Sequence, residues 1–247
     1  MAILEYLLWS YFLGYPFYIY FTHEAEKQRV LKQPALRIRV YRETMLHIWV
    51  PVLVLLLLVT NNVISLGDIG WRWQWNLANQ LASVGLVALS AYFLYSIGQV
   101  KRNLNLHPEI RKQFTFIQWF MPSSKREFRY VFFGVSVSAG ICEELLFRGY
   151  LISLLNGVMP TYASVLLSSL AFGLMHIYQG PLNVLRTASL GGILAGLYLL
   201  TDSIVIPIIL HVLLDMYGAG LAYIVFKNEP QKHNPKAAGI AKPTIAN

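Results

Sequence analysis

Two adjacent carboxylates and a guanidinium interrupt an apolar run at Ser138-Ala139-Gly140-Ile141-Cys142-Glu143-Glu144-Leu145-Leu146-Phe147-Arg148-Gly149-Tyr150. Charge in such a run is costly inside a bilayer and must be paired or put to use. On a helix Glu143 and Glu144 point about 100° apart, so one can face a site while the other braces it. Glu144 and Arg148 lie four residues apart on one face and can pair. That leaves Glu143 as the carboxylate available for chemistry. A buried structural ion pair is the plainer reading of the same residues.

Further along, the C-terminal half places few ionisable residues in apolar runs: His176, Arg186, His211 and Asp215. A lone histidine there is usually a satisfied polar group. Two histidines, with an acid four residues after the second, are harder to dismiss. His211 and Asp215 share a helical face, and His176 follows Phe172 by the same interval. Glu143, His176 and His211 fall on three different runs and converge only if those runs bundle. In a dry cavity such groups can take a proton from water and stabilise the oxyanion formed when that water attacks a carbonyl. No Ser-His-Asp or Cys-His arrangement stands at a recognisable spacing.

The elements that must position these residues are membrane helices. Of 247 residues 56% are hydrophobic and only 13% charged, and the mean hydropathy is +0.49. The net charge of +8 invites a nucleic-acid reading, but the basic residues cluster between apolar runs, which is the loop pattern of a polytopic protein. Such residues also favour anionic headgroups, so the expected partners are membrane lipid and a peptide or lipid-modified protein, with no nucleic acid. Cys142 is the single cysteine, so no intrachain disulfide forms. It reads as a small core residue rather than a nucleophile, which would need a base placed for it.

The expected fold is all-α, a polytopic bundle of about seven transmembrane helices plus an interfacial helix. The spans are placed at about 3–21, 45–64, 77–100, 128–155, 162–177, 184–200 and 204–226. The first is aromatic-heavy, with Pro16 as a kink, and reads as a retained helix rather than a signal peptide. The apolar stretch 114–122 is too short to span and is expected to lie at the interface. Trp71, Trp73 and Trp75 suit a headgroup belt. Gly192 and Gly196 form a G-x-x-x-G pair suited to close helix approach. The aromatic first run, the glycines and Arg186 could line a substrate path, but helix packing is the favoured reading. The tail is polar and expected to be disordered. Basic segments 22–43, 101–129 and the tail fall on one side of this topology, which the positive-inside rule makes cytoplasmic. The expected units are N-terminal helices and basic loops over 1–115, a catalytic bundle over 116–226 and a tail over 227–247.

Glu143-Glu144-x-x-x-Arg148, then Phe172-x-x-x-His176, then His211-x-x-x-Asp215, ordered on separate apolar runs, resemble the CPBP family of type II CAAX prenyl endopeptidases and bacteriocin-processing Abi proteins. The resemblance covers roughly residues 120–226. It implies a glutamate-dependent intramembrane endopeptidase without a metal cofactor. By carry-over, Glu143 is the general base on water, assisted by His176. Glu144 and Arg148 hold the site in place, and His211 with the residue four later forms the oxyanion hole. Part of the family has Asn there. Asp215 cannot donate from its side chain unless protonated, so His211 takes the oxyanion role and Asp215 orients it. A zinc site from Glu143, His176, His211 and Asp215 is the first rival, although the H-E-x-x-H spacing is absent. A non-catalytic immunity or scaffold protein is the second. The compact chain reads as a bacterial plasma-membrane protein, for which a peptide or lipoprotein precursor is a more natural substrate than a prenylated one.

Overall fold

The computed structural model describes residues 2–227. The expected disordered tail lies, from residue 228, outside the described residues. All regular structure among the described residues is helical: α1 (Ala2–Lys32), α2 (Arg37–Thr60), α3 (Leu77–Arg102), the short α4 (His107–Gln113), α5 (Lys125–Asn156), α6 (Thr161–Leu174), α7 (Pro181–Thr201) and α8 (Val205–Phe226). Five are long and apolar enough to cross a membrane, namely α2, α3, α5, α7 and α8. The helical membrane bundle read from the sequence is therefore present, and five of its helices among the described residues meet that measure. Helix α6 has only 14 residues. The first helix does not stop at residue 21 but runs for 31 residues through Pro16 and into the basic segment. Charged side chains there do not break it, because His23 to Lys32 contains no glycine or proline.

The stretch 114–122 is not a free interfacial helix. It contains only a three-residue 3₁₀ turn, Thr115–Ile117, and is tied to α2. The buried Arg37 guanidinium donates to the Trp119 carbonyl at 2.9 Å, to Ser123 Oγ at 3.0 Å and to Glu127 Oε2 at 2.9 Å. Tyr41 donates to the Phe120 carbonyl at 2.7 Å. Ser124 and Glu127 then close a reciprocal cap that starts α5. This clamp joins the two basic segments at one end of the bundle. Arg111 Nε donates to the Val225 carbonyl at 2.8 Å, bringing the end of α8 to the same place.

The opposite end carries Trp71, Trp73 and Trp75, all exposed. Here Gly70, at φ 71°, turns the chain so that its carbonyl accepts from Ile204 N at 2.9 Å. Arg72 pairs with Asp202, and Asn79 Nδ2 donates to the Thr201 carbonyl at 2.8 Å. The loop after α2 is thus pinned to the turn between α7 and α8.

The largest buried cluster draws on both halves of the chain: Leu8 and Phe12 of α1, Leu55 and Leu58 of α2, Cys142, Leu146 and Phe147 of α5, Phe172 of α6 and Tyr198 of α7. Close helix approach occurs at other glycines than the G-x-x-x-G pair. A β-carbon at Gly196 would meet nothing within 4 Å, and at Gly192 only Ser169 Oγ at 3.8 Å. At Gly173 it would lie 2.7 Å from the Val184 carbonyl, and at Gly191 3.1 Å from both Phe172 and Arg148 Nη2. Gly191 and Gly173 seat α6 against α7.

Gly140 does the same for α5 and α8, since a β-carbon there would lie 2.9 Å from the Val212 backbone nitrogen. Gly140→Ala must therefore push these helices apart. The expected outcome is a loss of about 1–3 kcal/mol, read as a lower unfolding midpoint of the detergent-solubilised protein.

Candidate active site

Helix α5 is regular over Ser136–Glu144 but π-helical on either side, over Tyr130–Val135 and Leu145–Leu151. Wide turns of this kind re-aim side chains and recur at functional sites. The second begins directly after Glu144. Ser168 Oγ of α6 supports it by donating to the Phe147 carbonyl at 2.7 Å. Trp49 Nε1 of α2 braces the preceding turn through Ser138 Oγ at 3.0 Å.

Glu144 is fully buried, and so is Arg148. Arg148 Nη1 donates to Glu144 Oε1 at 2.9 Å, as the four-residue spacing suggests. The same oxygen accepts from His211 Nδ1 of α8 at 2.7 Å. With Glu144 acting as acceptor, Nδ1 carries the hydrogen, and Nε2 is left facing the site. Nε2 lies 3.8 Å from Glu143 Oε2 and 3.8 Å from Asp215 Oδ2. Glu143 itself makes no hydrogen bond to the protein among the described residues.

Phe172 is the packing centre. The Arg148 guanidinium lies over its ring at 4.3 Å, a cation–π contact. The ring meets the His176 imidazole edge-on at 5.3 Å and the His211 imidazole at 5.9 Å. His176 follows the last turn of α6, with Nδ1 3.1 Å from the Phe172 carbonyl. It is thereby held beside the Glu144–His211 pair.

Glu143, Glu144, Arg148, Phe172, His176, His211 and Asp215 therefore gather around one point of the bundle. Arg186 does not join them; it is exposed and hydrogen-bonds Asn183 Oδ1 at 3.3 Å. Among the described residues no three His, Cys, Asp or Glu side chains form a metal-ligand group. Two features had no sequence signal. One is the Glu144–His211 hydrogen bond, which spans 67 residues. The other is the support of the π-helical turn by Ser168, because a serine in an apolar helix reads the same whether it bonds its own helix or a neighbour.

A carboxylate flanked by an imidazole, beside a second carboxylate locked by arginine, can activate water and stabilise a developing oxyanion. No curated protein and no solved structure matches the chain. Residues 125–217 match the family model described as type II CAAX prenyl endopeptidase Rce1-like. That stretch begins with α5 and ends just past Asp215, and so the segment that matches this family model is the one holding all seven clustered residues.

Proposed function

We propose that this integral membrane protein, an intramembrane protease of CAAX type at family level, hydrolyses a peptide bond with water activated by Glu143. The observation that carries this reading is the unequal engagement of the two neighbouring carboxylates. Glu144 is consumed by Arg148 and His211, whereas Glu143 faces His211 Nε2 without a hydrogen bond of its own. Glu143 takes a proton from water as the oxygen adds to the scissile carbonyl carbon. The electron pair moves onto the carbonyl oxygen, and His211 in its imidazolium form donates to it from Nε2. His176 assists proton transfer at Glu143. The proton taken up from water then passes to the leaving amine as the C–N bond breaks. The chemistry is metal-free, the substrate is a membrane-associated peptide or lipid-modified protein, and the basic end of the bundle faces the cytoplasm of a bacterial cell.

Three variants separate these roles. Glu143→Gln removes the base but no structural bond. Cleavage of membrane peptides falls by at least about 10²-fold with an unchanged unfolding midpoint, as measured by peptide proteomics and thermal unfolding; the wild-type activity survives excess EDTA. Glu144→Gln leaves the buried Arg148 charge unbalanced, so the protein loses about 3–5 kcal/mol of stability as well as activity. Chemical denaturation would show this, and a stable but inactive protein would contradict it. Asp215→Asn keeps turnover within about tenfold of wild type, because the bond that orients His211 is made at Nδ1 by Glu144.

A further inference from the structure

A long cavity of about 370 Å³ lies between α1 and α2, lined, apart from Tyr178, by residues outside the family-matched segment. It runs along α1 from Tyr15 to Arg29 and along α2 from Val40 to His47, with Trp119 and Phe120 along one wall. The fourteen helical steps from Tyr15 to Arg29 correspond to about 21 Å. Tyr178 also lines it, its ring 6.3 Å from His176 and 6.0 Å from His23. The wall of the cavity is thus also the neighbour of the site. His47 lines the end near Tyr15, its ring edge-on to Tyr15 at 5.9 Å and Tyr18 at 5.8 Å.

The outer end lies beside Glu26 and Glu43, next to the Arg37 clamp at the basic end of the bundle. Glu43 is paired with Arg39 at 2.7 Å. Carboxylates, imidazoles and hydroxyls therefore recur along the length, interleaved with apolar side chains such as Ile19, Val40 and Ile117. A hydrocarbon chain laid there would strip water from these groups without replacing its hydrogen bonds. An extended polypeptide offers a donor and an acceptor at every residue and advances about 3.3 Å per residue, so the cavity matches about six of them.

We propose that this cavity is the groove for the polypeptide part of the substrate, which passes from the basic end along α1 to Tyr178 and presents its scissile bond to Glu143. The assignment rests on the proteolytic reading above. It makes α1 and α2 the specificity-determining wall of a site whose chemistry lies on α5, α6 and α8. Any lipid attached to the substrate stays outside this cavity.

Cys142 is buried, so a thiol introduced by Thr44→Cys, in the groove, reports its occupancy. The probe is an equimolar set of unmodified decapeptides, tested alongside the same set farnesylated at the C-terminus, with the full chain in liposomes. Labelling of this thiol by a fluorescent maleimide is expected to slow at least fivefold with either set in a Glu143→Gln background. A thiol placed by Gln28→Cys, exposed and away from the groove, keeps its rate. In the active background a charged methanethiosulfonate on the groove thiol is expected to raise KM at least tenfold with little change in kcat, and a reductant reverses this. Unchanged labelling and unchanged KM overturn the groove. Protection by the farnesylated set alone overturns the polypeptide assignment in favour of the lipid. Undiminished cleavage by the Glu143→Gln protein sinks the glutamate mechanism separately, whatever the labelling shows.

Discussion

One carboxylate oxygen holds the family-matched segment together. Glu144 Oε1 accepts from Arg148 Nη1 at 2.9 Å and from His211 Nδ1 at 2.7 Å, with all three side chains buried. An ionised group so far from water is tolerable only when its partners are fixed. The arginine supplies the countercharge from the same helix and the histidine supplies a second hydrogen bond from α8. The bond to α8 also sets the register of the two helices. A shift of α8 by one residue would rotate His211 by about 100° away from Glu144 and leave the buried carboxylate short of a donor.

The packing around this oxygen follows from its demands. The backbone of α5 must approach α8 closely enough for a short imidazole to reach across, and Gly140 permits that approach. The guanidinium must remain dry, and Phe172 covers it at 4.3 Å. Gly191 makes room for both the ring and Arg148 Nη2. The π-helical turns of α5 then carry Leu145–Leu151 into the core while Glu143 stays at its edge. The adjacent acids have different fates because one points into this locked pair and the other points past it.

The clustered polar residues were legible because charge in an apolar run is rare and its spacing is helical. Glu144–Arg148 and His211–Asp215 are local, and locality is what a sequence displays. The bond from Glu144 to His211 is not local, and its orientation depends on the crossing of two helices. The same limit explains the glycines. Gly192 and Gly196 have the spacing of a contact, yet Gly191 and Gly173 make it, because the face that α7 turns to α6 is chosen by Arg148 and Phe172. The length of α1 was misjudged because hydropathy ends at residue 21, whereas helical propensity continues to Lys32. A short helix such as α6 reads as a span when the turn carrying His176 is counted with it.

The N-terminal helices are more than an anchor for the matched domain. Phe12 stacks edge-on with Phe147 at 5.3 Å, two residues from the start of the second π-helical turn. Trp49 reaches Ser138 on the turn before Glu143, and Arg37 holds the start of α5 through Glu127. Three contacts at different heights thus fix α5 against α1 and α2. The carboxylate at 143 can be left without a protein hydrogen bond only if the backbone carrying it does not move to find one. On this argument α1 and α2 supply the rigidity that holds the backbone at Glu143 in place.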